Sequence, residues 1–148
     1  MLILVIVIVV GLLAHDRAQH SRIISACGFR NDKTVTIGSQ KITAEVADTT
    51  QARTKGLSGR PCIGQNEGML FVFNQPGFYQ FWMKDMKFPI DIIWITTNHR
   101  VIGLKSKAQP LSYPQKFVNQ TYTAQYVLEL ASGRALSLGV GPTTTVNF

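Results

Sequence analysis

Short runs of β-branched and aromatic residues, separated by turn-forming residues, recur along the chain from residue 34 to its end. Such runs are typical of strands in a partly buried sheet. They predict about eight strands, at residues 34–37, 41–46, 69–73, 78–83, 90–97, 101–108, 124–130 and 143–148. The Gly38-Ser39 pair between the first two runs predicts a β-hairpin.

Two short segments carry the signals of helices. Asp48 is placed as the N-cap of a helix over residues 49–55, and Gly56 is a typical residue for its end. Ser132 is placed as the cap of a second helix that ends at Gly139. Two short helices and about eight strands predict an α+β fold, β-rich, with a mostly antiparallel, barrel-like sheet.

A continuous apolar segment, MLILVIVIVVGLLA, occupies residues 1–14. As a helix it would be about 20 Å long, whereas a bilayer core is about 30 Å thick. This length favours a signal peptide, with a transmembrane helix that anchors the chain as the alternative. No Lys or Arg precedes the segment, and Arg17 follows it. A start codon placed too far downstream would explain both the missing basic residues and the short apolar segment.

The domain organisation follows from this segment. Residues 1–14 form the leader, residues 15–33 a polar linker, and residues 34–148 a single β-rich domain. We expect the domain to lie outside the cytoplasm, either exported or anchored to the membrane through the leader.

The composition is basic, with 15 Lys and Arg against 8 Asp and Glu and a net charge of +7. An excess of this kind favours anionic partners. The basic residues are scattered rather than clustered, and no nucleic-acid-binding motif is present. We therefore expect no specific nucleic-acid site.

The two cysteines, Cys27 and Cys62, can pair if the domain is exported. As an alternative, residues 24–27 match a lipobox, in which Cys27 would be lipidated. Neither cysteine lies in a C-x-x-C motif, and the three histidines lack the spacing of metal ligands. No phosphate-binding loop or dinucleotide motif occurs, so we expect neither a metal nor a cofactor.

Three sequence blocks, in this order, carry a family resemblance: QNEGMLFVF at 65–73, FWMKDMKFPIDIIWI at 81–95 and YVLELASG at 126–133. KGLSGR at 55–60 adds a fourth. With these blocks the chain resembles the family called domain of unknown function 192, over residues 41–147. The family has no settled activity, so the resemblance implies a fold rather than a reaction. It also implies export or membrane association, which is general for members with a leader.

Two positions depart from the family pattern. Ser58 stands where a Met is common, and Pro142 stands where an acidic residue is expected. A site that uses that acid elsewhere in the family would be incomplete in this chain.

Several charged residues of these blocks are predicted to lie close together. Lys84, Asp85 and Asp91 bracket one hairpin turn. Alternation along the strand places Asp91 on the same face as Ile93 and Ile95. A carboxylate on an apolar face needs a partner, because burying it alone is costly.

Two interpretations of this set remain open. In the first, the set forms a small polar ligand pocket in which Lys84 is the cation and Trp82 or Trp94 offers a flat face to a sugar ring. The acceptors of that pocket would be Asp85, Asp91, Glu67 and Glu129. In the second, Lys84 and Asp91 form a structural ion pair and both tryptophans belong to the core.

Three functions are compatible with these features. The first is a non-enzymatic, envelope-exposed binding or accessory module for a small polar ligand, with a saccharide as one candidate. The second is a hydrolase that uses Glu67, Asp91 or Glu129 as acid and base. The third is a structural module that docks another envelope protein.

Overall fold

A computed structural model of the protein describes residues 27–148. The predicted leader, residues 1–14, and the first part of the linker, residues 15–26, lie outside the described residues. In the described part, no helix is both long enough and apolar enough to cross a membrane.

Residues 27–148 contain nine strands and two short α-helices. The strands are β1 Lys33–Ile37, β2 Gln40–Ala47, β3 Glu67–Gly77, β4 Phe81–Trp82, β5 Ile90–Ile95, β6 Val101–Ala108, β7 Lys116–Phe117, β8 Ala124–Ala131 and β9 Val146–Asn147. The helices are α1 Thr50–Lys55 and α2 Arg134–Ser137, and a 3-10 turn covers Pro110–Ser112. This content confirms the predicted β-rich α+β class.

Seven strands form one sheet in the order β6-β5-β8-β3-β2-β1-β9, and β4 pairs with β7 in a small separate sheet. Every pairing is antiparallel except that of β2 with β3, which is parallel. Parallel neighbours need a long crossover, and here α1 and the loop after it supply the crossover. The sheet is curled, and a bridge between Arg100 and Thr145 joins its two edges at one end. The barrel-like prediction is therefore correct.

The two faces of the sheet carry separate apolar clusters. One, which we call the inner face, packs against α2 and includes Leu70, Ile93, Leu128 and Leu130. The other, which we call the α1 face, packs against the loop after α1 and includes Met69, Phe71, Ile92, Trp94 and Val127. Strict alternation along β3, β5 and β8 sends successive side chains to opposite clusters.

The N-cap of α1 is Thr49 rather than Asp48. The Thr49 Oγ1 accepts a hydrogen bond of 3.1 Å from the backbone N–H of Ala52. The helix begins one residue later than predicted, and the side chain of Thr49 therefore reaches the third helical residue, as an N-cap requires. Gly56 ends the helix as predicted, with φ of 48°.

Three other predicted boundaries are wrong. The run at residues 78–83 pairs only over Phe81–Trp82, because β3 continues to Gly77 and the chain must turn before β4. The last run pairs only over Val146–Asn147, since Thr143 has a left-handed φ of 69°. Helix α2 follows Gly133, not Ser132, and Gly133 takes the left-handed conformation.

Candidate functional site

A cavity of about 310 Å³ lies between α1, the loop after it and the α1 face of the sheet. Five aromatic side chains wall this cavity, which we call the aromatic pocket: Phe71, Phe73, Tyr79, Phe81 and Trp82. Phe71 and Phe73 come from β3, Tyr79 from the segment after it, and Phe81 and Trp82 from β4. The end of β3, the turn after it and β4 therefore build the pocket.

Packing among the aromatic rings fixes the pocket walls. Phe73 and Tyr79 are stacked, and Phe71 meets Phe81 edge to face at a centroid distance of 4.9 Å. Behind them, the indole N–H of Trp94 donates a 3.0 Å hydrogen bond to the carbonyl of Tyr79. The pocket is thus largely formed before any ligand enters.

Glu129 projects from the middle of β8 into this aromatic pocket. Its neighbours on the adjacent strands are Met69 and Ile92, both apolar. Glu129 is only 5% exposed, and its Oε2 atom has no hydrogen-bond partner among the described residues. Burial raises the pKa of Glu129 to about 8. At neutral pH the side chain is therefore an uncharged acid that can donate and accept hydrogen bonds.

A more open depression, which we call the rim groove, adjoins the aromatic pocket. Lys84 and Asp85 line it, and it shares Lys55, Ser58 and Trp82 with the pocket. Two hydrogen bonds of 2.9 Å hold its walls together: Ser58 Oγ donates to the carbonyl of Lys84, and the N–H of Gly59 donates to that of Asp85. The groove and the pocket thus form one continuous surface around Trp82.

The two tryptophans have different environments. Trp82 is 44% exposed and lies at the border between pocket and groove, with the Lys116 Nζ 5.4 Å from its ring centroid. Trp94 is 3% exposed and belongs to the core. Only Trp82 presents a ring face that a ligand could contact.

Arg53 is a cation of the pocket that the sequence reasoning missed. Its Nη1 donates to the carbonyls of Asp48 and Val72, and its guanidinium lies 5.3 Å from the ring centroid of Phe73. The available signal in the sequence was the position of Arg53 as a basic residue near the end of the predicted helix. The aromatic density of residues 71–82 was the signal for the pocket walls.

Asp91 lies on the inner face of the sheet and is fully buried. Its Oδ1 accepts hydrogen bonds from the N–H groups of Lys107 and Gly133 at 2.8 and 3.1 Å, and Ser106 Oγ lies 3.4 Å away. Its Oδ2 accepts a 2.8 Å bond from the N–H of Ala135. The carboxylate therefore ties β5 to the end of β6 and to α2.

The predicted ion pair between Lys84 and Asp91 is absent from the described residues, where the ion pairs involve other side chains. Backbone N–H groups satisfy Asp91 instead, and Lys84 is exposed in the rim groove. Glu67 is also outside the pocket, since its Oε2 accepts a 2.7 Å bond from the N–H of Gly64. Of the six predicted residues, the structure groups Trp82, Lys84, Asp85 and Glu129 and separates Asp91 and Glu67 from them.

Part of the predicted linker is attached to the domain. Cys27 forms a disulfide with Cys62, and Arg60 donates a 2.9 Å bond to the carbonyl of Gly28. Arg30 and Arg60 both pair with the buried carboxylate of Glu45. The disulfide occupies the sulfur of Cys27 that the lipobox alternative requires. Residues 27–32, which we call the strap, therefore lie against the domain beside Ser58 of the rim groove.

Comparison with known proteins identifies relatives by sequence and by fold. Residues 33–148 match the model of DUF192, described as an uncharacterized ACR family. A protein of unknown function from Novosphingobium aromaticivorans is 33% identical, with a TM-score of 0.70 over 78% of this chain and 82% of its own. A candidate transcription regulator from Sinorhizobium meliloti is 27% identical, with a TM-score of 0.70 over 77% and 89%. The chain matches no curated protein.

Proposed function

The chain belongs to the DUF192 family, and we propose that its domain is a non-enzymatic module that binds a small saccharide outside the cytoplasm. The observation that carries this proposal is the buried carboxyl group of Glu129, which faces an aromatic cavity and whose Oε2 has no hydrogen-bond partner in the described part of the chain. Leaving such a group unsatisfied costs about 1–3 kcal/mol. A ligand hydroxyl would satisfy it.

The chemistry of the pocket matches a sugar ring. Aromatic faces such as that of Trp82 contact the apolar C–H surface of a sugar, and an uncharged carboxyl group both donates to and accepts from hydroxyl groups. A cavity of about 310 Å³ is at the lower end of ligand sites, which suits one ring. The binding centre is thus Glu129 and Trp82, with Lys84 and Asp85 at its border.

The extracytoplasmic location is supported by the Cys27–Cys62 disulfide, because disulfides persist in oxidising compartments. We propose that residues 1–14 act as the signal peptide or membrane anchor that delivers the domain there. Fusing the full chain to a reporter that is active only outside the cytoplasm tests this. An active fusion is expected, and an inactive one with the leader intact would contradict export.

Saccharide binding is tested by a thermal-shift screen of residues 27–148 with glucose, N-acetylglucosamine, N-acetylmuramic acid and their short oligomers. A ligand at 100 times its dissociation constant adds about 2.7 kcal/mol of stability. At least one saccharide is expected to raise the Tm of the wild type. The same compound should leave Glu129→Leu unshifted, because that variant removes the carboxyl group that would bond the ligand.

Glu67→Leu is the matched control, because it makes the same substitution at the start of the neighbouring strand β3, outside the pocket. It should respond to the saccharide as the wild type does. If no saccharide stabilises a folded wild type, the binding proposal is wrong and docking of an envelope protein becomes the better interpretation. A DNA duplex in the same screen tests the role in transcription that is named for the Sinorhizobium neighbour.

A hydrolase is the second candidate, and one observation favours it. A carboxyl group that stays protonated near neutral pH has the property of a general acid, and burial gives Glu129 that property. Asp85 in the rim groove would then be the second carboxyl group. Release of nitrophenol from nitrophenyl glycosides at pH 5–8 by the wild type but not by Glu129→Gln would establish hydrolysis, and no release would leave binding alone.

A further inference from the structure

The charges around the aromatic pocket and the rim groove are unbalanced. Three cationic side chains line these two cavities: Arg53, Lys55 and Lys84. The carboxyl groups on the same lining are Asp85 and Glu129, and Glu129 is buried in an apolar setting where its charged form is disfavoured. Cations therefore outnumber anions at the place where a ligand would enter.

Arg53 is held in position by the protein. Its Nη1 contacts two backbone carbonyls, and its guanidinium plane lies beside the Phe73 ring, while the side chain is half-buried. No carboxylate pairs with it among residues 27–148. A positioned guanidinium with unused donors is well suited to bind a planar carboxylate or a phosphate.

Lys55 and Lys84 extend the cationic border toward solvent. Both are exposed, and in the described part of the chain neither forms an ion pair. Their flexible ammonium groups add attraction without fixed geometry. The lysines therefore favour an anion in general, whereas Arg53 fixes where it would lie.

We infer that the saccharide bound by this domain is acidic, with its ring against Trp82 and its carboxylate or phosphate at Arg53. The inference rests on the proposed function and specifies the ligand class of the same site. A neutral sugar would leave the donors of Arg53 to water. An acidic sugar replaces that water with charge-assisted hydrogen bonds, which are about twice as strong as neutral ones.

The test compares one neutral sugar with two acidic sugars, each of which differs from it by one added group. N-acetylmuramic acid carries a lactyl carboxylate that N-acetylglucosamine lacks, and N-acetylglucosamine 6-phosphate carries a phosphate instead. Calorimetric titration of the wild type at low salt is expected to give an affinity about tenfold higher or more for at least one acidic sugar than for the neutral one. The difference should shrink as salt is added, because ions screen exposed charges.

Variants locate the source of that preference. Arg53→Gln should reduce the acidic-to-neutral ratio to near one. Because Arg53 also bonds backbone carbonyls, the Lys55→Gln/Lys84→Gln double variant is the second test, as both side chains are exposed. It should lower the ratio by a few-fold. Lys41→Gln removes one positive charge at an exposed residue of β2 that lines neither cavity, and this control should keep the wild-type ratio.

The outcomes separate this inference from the proposed function. Equal affinities for neutral and acidic sugars, both abolished by Glu129→Leu, would refute the acidic ligand and leave saccharide binding standing. A preference that persists in both cation variants would also refute the role of these side chains. Absence of binding by all three sugars to folded wild type would overturn the inference together with its premise.

Discussion

Asp91 and Glu129 lie on neighbouring strands of one sheet, are both buried, and have opposite surroundings. Asp91 pairs across the strands with Leu130, the residue next to Glu129, so the two acids project to opposite faces. Three backbone N–H groups and a serine hydroxyl surround Asp91, whereas the Oε2 of Glu129 faces a cavity and has no hydrogen-bond partner within residues 27–148. Both acids are buried, so the presence of hydrogen-bond donors around Asp91 distinguishes this structural acid from Glu129, the candidate ligand-binding acid.

The difference arises from what packs on each face. On the inner face, the end of β6 and the start of α2 direct their N–H groups at one point. On the α1 face, aromatic side chains surround the carboxyl group and offer it no donor. A satisfied buried acid stabilises a fold, and an unsatisfied one costs stability unless something else binds it.

The largest expected effect is from Asp91→Ala. It leaves one buried and two half-buried N–H groups without an acceptor, and an unsatisfied buried group costs about 1–3 kcal/mol. The free energy of unfolding should fall by about 3–5 kcal/mol in urea titrations at pH 7. Asp48→Ala is the control, since this exposed side chain makes no hydrogen bond among the described residues, and it should change stability by less than about 0.5 kcal/mol. A comparable loss in both variants would mean that Asp91 is no anchor.

Raising the pH should weaken the fold through Glu129. Its pKa is near 4.5 in the unfolded chain and about 8 in the folded one, so the folded state holds a proton that the unfolded state releases. The contribution of Glu129 to stability is therefore complete below about pH 4.5 and declines as the pH rises toward 8, by at most about 1.4 kcal/mol per pH unit. Urea titrations across this range measure the decline.

Glu129→Gln should flatten that profile, because glutamine does not titrate. The ion pair between Arg30 and Asp32 in the strap does not affect the profile in this pH range. The hydrogen bond from Arg30 lowers the pKa of Asp32, so the contribution of Asp32 to stability is lost only as the pH falls below the ordinary pKa range of Asp. An equally steep profile in Glu129→Gln would assign the decline to another group.

Removing the carboxyl group of Glu129 should raise the free energy of unfolding, whereas removing that of Asp91 should lower it. Glu129→Met keeps a similar length and deletes an unsatisfied polar group, so we expect a gain of about 2 kcal/mol at pH 7 that decreases toward pH 5. Thermal and urea unfolding at both pH values measure it. A loss of stability at pH 7 would show that the carboxyl group has a structural partner.

The smallest expected effect concerns the side-chain donor to Asp91. Ser106 Oγ lies 3.4 Å from Oδ1, at the long end of hydrogen-bond geometry, and three N–H groups already satisfy the carboxylate. Ser106→Ala should cost about 0.5 kcal/mol or less, measured by urea unfolding beside Asp91→Ala. A cost close to that of Asp91→Ala would make the hydroxyl the main partner.

Local patterns predicted most of the sheet and part of the site. The alternation that placed Asp91 with Ile93 and Ile95 on one face is present in β5. Asp91 is buried, as its position on this apolar face implies. Clustering of Lys84 and Asp85 followed from their adjacency. The predicted ion pair between Lys84 and Asp91 was wrong, because proximity in sequence does not specify which face of the sheet the side chain of a turn residue reaches.

The sequence alone determined most of the long strands, the hairpin at Gly38-Ser39 and the family, since these depend on residues close together in the chain. Only the tertiary structure decided the roles of the two buried acids. The donors to Asp91 come from residues 15 to 44 positions away, and the aromatic pocket around Glu129 forms between α1, the loop after it and the α1 face of the sheet. Such contacts arise from strand order, which no local pattern encodes.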